Sequence, residues 1–387
     1  MKHYGIQNIK NIALAGHAGS GKTSLAEALL FKAGATDRLG KIADGNTVCD
    51  YDADEIKRKA SLNTSLATFE YNDIKVNLLD TPGLFDFAGG MYEGISAAGT
   101  VMITVSAKSG VKVGTEKAYE IADDLGRPKM FVVTKIDDTE ANFYNTLTDL
   151  KTKFGPTVCP VVVPVIKDRK VVSFVNLIEM KAYIYDEKGN ATETEMPTSE
   201  ISEKMDYRLD GLVAAFTEAV AETDDTLMEK FFEGEPFTQK ELVDGIHNGM
   251  NQGIITPVVC CSSTTTAGVD MLLKEIELLL PAPADNKPVD AIKNNEPVEV
   301  TYNENDPAAA FVFKTVADPF VGKMSFIKIV SGSIKTNSDY INATTNNPEK
   351  IGKLYKLCGK KQSEISEAFA GDIVVAVKIS ANTGDTL

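Results

Sequence analysis

The 387-residue sequence predicts an α/β domain on a mostly parallel sheet, interrupted by an α+β subdomain and followed by an antiparallel β-barrel. Three observations predict this. Short apolar runs alternate with segments of helical period through the first two thirds of the chain. That alternation is broken once, by a stretch too long for a loop. From Pro307 onward only short alternating runs remain, separated by turn residues.

Taken in order, Asn11 to Ala15 is an apolar strand that runs into Gly16-His17-Ala18-Gly19-Ser20-Gly21-Lys22-Thr23, and Leu25, Ala26, Leu29 and Leu30 then follow helical spacing. The polar stretch from Ala35 to Asn63 has no sustained period and reads as a long mobile loop. Leu66 to Tyr71 and Ile74 to Leu79 alternate as strands. Val101 to Val105, Met130 to Thr134 and Val258 to Cys261 read as further strands, separated by helices near Thr115 to Leu125, Glu140 to Phe154 and Met271 to Leu280. The insertion covers roughly 155–253. In it Val161 to Val175 and Lys181 to Asp186 read as strands, and Ile201, Met205, Leu209, Leu212, Val213, Phe216 and Val220 fit one helix capped by Ser199. Four prolines between Pro281 and Pro297 mark a linker. The expected divisions are 1–286, with 155–253 inserted, a linker over 287–306, and a barrel over 307–387. Ala310 to Val316, Lys323 to Ser331 and Ile373 to Ile379 are the barrel strands, with turns at Val330-Ser331-Gly332-Ser333 and Asn346-Asn347-Pro348.

Composition narrows the functional classes. An apolar content of 43% is ample for packed cores and excludes a wholly disordered chain. The longest apolar runs, Thr100 to Val105 and Val161 to Ile166, fall far below the roughly 18 to 20 residues that span a bilayer. Lys2 and Lys10 precede only Ile12 to Gly16, shorter than a secretory signal core, so a cytoplasmic protein with no membrane partner is expected. Cys49, Cys159, Cys260, Cys261 and Cys358 form an odd set without C-x-x-C spacing, which suggests neither a disulfide framework nor a zinc site. His3, His17 and His247 leave little for histidine-based catalysis. Residues 186–244 carry 17 acidic and 5 basic side chains, a net −12 of the chain's −15. This is either a solvated helical face or a docking surface for a basic partner.

The chemistry resides in four segments. Gly16-x-x-x-x-Gly21-Lys22-Thr23, between a strand and a helix, is a phosphate-cradling P-loop. Its backbone N–H groups from Gly16, His17, Ala18, Gly19, Ser20 and Gly21 through Ser24 converge on phosphate oxygens, Lys22 neutralises the β and γ phosphates, and Thr23 binds Mg²⁺. For His17 the simpler reading is a packed or solvent-facing side chain. Asp80-Thr81-Pro82-Gly83 ends a strand, where the aspartate can hold the metal's water shell and Gly83 can sense the γ-phosphate. Thr134-Lys135-Ile136-Asp137 ends another. Asp137 can accept from guanine N1–H and the 2-amino group, which adenine cannot match, and the Lys135 stem covers the base. Cys261-Ser262-Ser263 can offer backbone N–H groups to guanine O6. A GTP-binding domain results, with GTP or GDP and Mg²⁺ as its cofactors.

With Val258 to Ser263 followed by Gly268-Val269, the run Asp137 to Tyr144, Asp318-Pro319-Phe320-Val321-Gly322-Lys323, Ser331-Gly332 and Gly371-Asp372-Ile373, the sequence resembles bacterial elongation factor G over nearly its whole length. The inserted subdomain favours that family over elongation factor Tu or initiation factor. The resemblance implies a P-loop GTPase domain and a barrel that engage the ribosome, the insertion reaching the stalk protein. It implies no sequence-specific nucleic acid, and the chain is read as a monomer. It also implies three further C-terminal domains, so that the sequence, ending at Thr383-Gly384-Asp385-Thr386-Leu387, reads as an N-terminal fragment.

Departures from the family fall on the chemistry. Leu84 stands where the family has the histidine that orients the attacking water; with Lys22 and Gly83 it makes up the expected catalytic side. Loss of such a group typically costs roughly 10² to 10⁴ in rate. Arg58-Lys59-Ala60-Ser61-Leu62 stands for Arg-Gly-Ile-Thr-Ile, so Ser61 replaces a threonine that ligates Mg²⁺. Gly19 stands for aspartate, and Thr134 for the more common asparagine. These differences imply a diverged paralogue that binds GTP with Mg²⁺ and hydrolyses it slowly or with ribosomal help. The alternatives are a nucleotide-gated regulatory or ribosomal protection factor with little turnover, release factor 3, and another P-loop ATPase or kinase.

Overall fold

A computed structural model of the chain describes residues 2–202, 207–293, 295–319 and 321–387. The first domain contains β1 (Ile9–Ala15), α1 (Lys22–Lys32), α2 (Ala53–Arg58), β2 (Ser65–Tyr71), β3 (Ile74–Asp80), α3 (Ala88–Ala97), β4 (Thr100–Ser106), α4 (Val113–Asp124), β5 (Lys129–Thr134), α5 (Phe143–Phe154) and β6 (Val158–Pro160). After the insertion the chain returns through β11 (Thr256–Cys260) and α9 (Val269–Leu279). The strands lie in the order β2-β3-β1-β4-β5-β11-β6. All neighbours are parallel except the β2–β3 hairpin, which pairs Ser65 with Asp80. β1, β3, β4, β5 and β11 are buried along their whole length, as expected of a sheet covered on both faces. Their C-terminal ends open on the loops that carry the motifs.

The inserted segment forms an antiparallel sheet, β7 (Val162–Lys167), β8 (Lys170–Asn176), β9 (Lys181–Tyr185) and β10 (Ala191–Thr194), and three helices, α6 (Leu209–Ala221), α7 (Asp225–Phe232) and α8 (Gln239–Gln252). The helix expected from Ser199 begins only at Leu209, with Arg208 at its N-cap. Ile201 is instead in extended chain, accepting from Ile166 N at 2.9 Å, and Met205 lies outside the described residues. The apolar spacing of Ile201 does not continue the helix; the residue is buried beside β7, where its carbonyl meets Ile166 N. α7 and α8 start at Asp224 and Thr238, whose side chains accept from backbone N–H groups of the first turn.

The 35–63 stretch is not one unstructured loop. It contains a turn at Ile42–Asp44 and α2. Glu27 on α1 accepts from Gly40 N at 3.0 Å and Val48 N at 2.5 Å, while Glu55 accepts from Leu62 N at 3.0 Å and Asn63 N at 3.1 Å. Carboxylate-to-backbone bonds order this segment, and they leave no hydrophobic period to read. α3 also escapes a propensity reading because it contains Gly89, Gly90 and Gly94. A Cβ at Gly90 would lie 2.8 Å from Pro82 Cγ, so the helix packs onto the Asp80–Gly83 loop through its glycines.

The stretch read as a linker includes a hairpin, β12 (Val289–Lys293) with β13 (Glu296–Val300). The second domain follows as β14 (Ala309–Asp318), β15 (Gly322–Ser331), β16 (Ser333–Lys335), β17 (Ser338–Asn342), β18 (Asn347–Ile351), β19 (Leu354–Cys358), β20 (Lys361–Ile365), β21 (Glu367–Phe369) and β22 (Ile373–Val377), all paired antiparallel. Phe320 lies outside the described residues. β19 pairs with β2 at Cys358 and Ala67, so one sheet runs from the second domain into the first. All five cysteines are free. Among the described residues no helix is long and apolar enough to cross a membrane.

Candidate functional site

The loop between β1 and α1 takes its shape from glycine. Gly16 has φ 134°, and a Cβ there would lie 2.6 Å from Thr104 O. Gly19 and Gly21 also have positive φ, and Gly21 caps α1. The loop folds back on Lys22, whose Nζ donates to Gly16 O and His17 O, each at 3.1 Å. Ser20 is fixed from below by Thr104, with Oγ to Oγ1 at 2.6 Å. Ala18 and Gly19 remain at the rim and Ser24 lies in the first helical turn, at the positive end of the α1 dipole. Burial pulls the Lys22 ammonium down to about 8, with Asp80 and Asp50 opposing. His17 packs half-buried over Phe85, ring centroids 6.1 Å apart, and burial, then Lys22 and Lys112, lower its pKa, which favours the neutral ring. Its Nδ1 is buried without a hydrogen-bond partner among the described residues.

Below the lysine, three segments distant in sequence meet. Thr23 Oγ1 donates to Asp80 Oδ2 at 2.7 Å and lies 3.0 Å from Ser61 Oγ, so the expected metal residues Thr23, Ser61 and Asp80 converge. Asp50 joins them, a residue that sequence reasoning missed because it sits in a polar, aperiodic stretch. Ser61 and Thr23 lie alongside its carboxylate and partly offset burial, without completing a bond of ordinary geometry to either oxygen. Asp80 Oδ1 and both Asp50 oxygens are thus buried and unpaired among the described residues. Three unpaired carboxylate oxygens beside two hydroxyls fit a hard divalent cation. Among the described residues no trio of His, Cys, Asp or Glu gathers around one point, so such a cation would depend on hydroxyl and phosphate oxygens as well.

Burial raises the Asp80 carboxyl to about 7, reinforced by Asp50 and opposed by Thr23 and Lys22. The folded chain therefore holds a proton that the unfolded chain releases between about pH 4 and 7, and this contribution to stability fades as pH rises through that window. Asp80→Asn is expected to stabilise the nucleotide-free chain at pH 8 relative to the wild type, because the amide is neutral where the buried carboxylate must ionise. The gain should vanish near pH 4, where aspartic acid is neutral too. Thermal unfolding across a pH series checks this; a pH-independent difference would contradict it.

Thr81 is structural. Its hydroxyl donates to Leu14 O at 2.7 Å, which anchors the loop after β3 to β1. Pro82 is buried against α3, and Gly83 faces Lys22 and Ala18. Leu84 follows, half-buried, at the entry to a turn over Phe85–Phe87. Lys59, at the family's glycine position, has φ 54° and ends α2 in the left-handed region. A side chain there costs of the order of 1 to 2 kcal/mol.

A cavity of about 650 Å³ is lined by Ile136, Asp137, Ser262 and Ala267 from the first domain and by Phe174 and Tyr185 from the insertion. Thr134 is buried and turned away from this cavity, donating to Ser20 O at 2.6 Å, which ties the base motif to the phosphate loop. Lys135 is exposed with φ 58°. The expected amide donors from Cys261 and Ser262 are otherwise engaged: Cys261 N donates to Val133 O at 3.0 Å and Ser262 N to Ala267 O at 2.9 Å. Tight turning after β11 uses them internally. Ser263 is buried nearby, its hydroxyl unpaired among the described residues.

A phosphate loop at the ends of a parallel sheet, with a carboxylate and hydroxyl cluster beneath the lysine and a cavity beside an aspartate, defines a P-loop nucleotide-binding protein. The Elongation factor Tu GTP binding domain family matches residues 7–282, and the Elongation factor G domain 2 family matches residues 307–387. The chain belongs to the elongation-factor GTPases, as an elongation factor G-like member, and so to a family of guanine nucleotide-binding proteins. It is 32% identical over 385 residues to an elongation factor G-like protein of Thermotoga maritima, covering 99% of this chain and 54% of that protein. A crystal structure of a Thermus thermophilus protein is similar with a TM-score of 0.86 and 33% identity, over 99% of this chain and 54% of that one. The chain thus spans about half the length of the curated relative it matches.

Proposed function

We propose that this chain binds GTP with Mg²⁺, engages the ribosome as a cytoplasmic translational GTPase, and turns GTP over slowly. Residues 1–286 are the GTP-binding unit, 155–253 its insertion, 287–306 the connection and 307–387 the second domain. Lys22 and the loop amides hold the β and γ phosphates, and Asp137 reads the guanine edge. Thr23, Ser61 and Asp80, with Asp50 beside them, would hold the divalent cation, which when bound neutralises phosphate charge. Gly83 faces the lysine that grips the triphosphate.

The observation that carries slow turnover is Leu84. The side chain that follows Gly83 has no hydrogen-bonding atom, so it can neither orient nor deprotonate a water. The test is ribosome-stimulated phosphate release from GTP, with ATP as control. Leu84→His is expected to raise the stimulated rate about tenfold, a part of what a positioned acid/base group supplies. A wild-type rate equal to that of ordinary elongation factor G, with no gain from the histidine, would overturn slow turnover; equal binding of ATP and GTP would overturn the guanine assignment.

Leu84 also favours a second reading, a nucleotide-gated regulatory or ribosomal protection factor in which GTP sets a conformation. Ribosome binding that is tight with a non-hydrolysable GTP analogue, weak with GDP and unaccompanied by phosphate release would select it. The acidic α6–α8 region supports docking of the insertion to the ribosomal stalk protein. There Phe232, 79% exposed, supplies an apolar anchor amid carboxylates.

A further inference from the structure

Lys314 projects from β14 of the second domain into the first. It is 5% exposed, a costly place for an ammonium group unless it has partners. Its Nζ donates to Thr64 O at 2.6 Å and lies 5.7 Å from the centre of the Phe326 ring. Glu93 on α3 is its leading charge partner: burial pulls the Lys314 ammonium down and Glu93 pushes it back up. Thr64 is itself 3% exposed and passes the contact on, because its hydroxyl donates to Gly90 O of α3 at 2.5 Å.

The sequence position of these partners gives the contact its meaning. Thr64 lies three residues after Ser61, whose hydroxyl meets Thr23. α3 starts at Ala88, directly after the turn that follows Gly83 and Leu84. A single cation of the second domain therefore bonds the segment that follows Ser61 and, through the Thr64 hydroxyl, is linked to the helix that follows the Gly83 loop. An interface that needed only packing would be served by an apolar side chain of the same length, without the desolvation cost.

We propose that Lys314 is a positioning residue through which the second domain holds the Ser61 segment and the Gly83 loop in the arrangement that accepts a third phosphate. The ligand class it selects is a guanosine triphosphate over the diphosphate, so this inference rests on the proposed GTP function. Thr64 is the relay. The coupling is reciprocal: a bound triphosphate strengthens the grip of the second domain on α3.

The test uses the full 387-residue chain with Mg²⁺ and compares binding of GDP with that of guanosine 5′-[β,γ-imido]triphosphate. Lys314→Met is expected to weaken the imido analogue about tenfold, within the usual range of site-to-site coupling, and to change GDP by less than about twofold. Thr64→Val should act in the same direction, and the double variant should be no worse than Lys314→Met alone. Equal losses for both nucleotides, no loss for either, or additive effects in the double variant would overturn the inference. If Lys314→Met does not fold, Thr64→Val and Glu93→Gln, both conservative, decide by the same ratio. A wild-type chain that prefers guanine nucleotides while the variants keep its triphosphate-to-diphosphate ratio refutes the inference alone. A wild-type chain with no preference for guanine refutes the proposed function and the inference together.

Discussion

Replacing Asp137 by asparagine is expected to lower GDP affinity by about 10²- to 10³-fold, while ADP, bound weakly in any case, changes little. The Asp137 carboxylate belongs to a residue that lines the cavity between the first domain and the insertion, and it can accept from two guanine donors at once. Hydrogen bonds to a charged acceptor are worth roughly 1.5 to 3 kcal/mol each, so losing the charge and turning one acceptor into a donor removes about 3 to 4 kcal/mol. Inosine diphosphate, which lacks the 2-amino group, should bind the wild-type chain roughly tenfold more weakly than GDP, and the gap should close in the variant. Competition titrations of the three diphosphates measure both effects. A guanine-to-adenine ratio that survives Asp137→Asn would show that the base is read elsewhere.

Removing Lys75 should cost about 3 to 5 kcal/mol of stability, the usual result of leaving a buried charge without its partner. Lys75 Nζ donates to both oxygens of Asp372, at 2.7 and 2.5 Å, and only 4% of its side chain is exposed. Asn77 Nδ2 donates to the same carboxylate at 3.0 Å and to Asn11 Oδ1 at 2.9 Å, and Asn11 Nδ2 donates to Gly371 O at 2.7 Å. The network joins β1 and β3 to the turn before β22, so it ties the two domains together. In Lys75→Met the domains are expected to unfold in separate steps, and Lys75→Met with Asp372→Leu should recover much of the loss. Denaturant unfolding followed by two probes, one in each domain, distinguishes this from a purely local defect. A loss below about 1 kcal/mol would place the pair among weak surface bridges.

The phosphate loop and the Asp80–Gly83 and Thr134–Asp137 segments were legible because each is contiguous and follows a strand whose apolar run is itself a local signal. Thr134 shows the limit of such reading. Its residue type departs from the family's asparagine, and only the fold shows that its hydroxyl bonds the phosphate loop. Ser262 shows another, since an amide counted as available for the base closes its own turn. Helix α3 was invisible because its glycines disfavour helix in isolation and favour it where Pro82 approaches the backbone.

By itself the sequence determined the alternation of the main strands with helices, the phosphate-loop motif, an aspartate in the turn after β5 and the loss of the histidine at position 84. These depend on neighbours along the chain, through hydrophobic period and turn geometry. Only the tertiary structure decided that Asp50 lies beside Thr23 and Ser61, that Glu27 and Glu55 order the 35–63 segment, and that Lys314 and Lys75 cross the domain boundary. Those are contacts of polar groups removed from water, and their strength comes from burial among residues far apart in the chain, which no local pattern records.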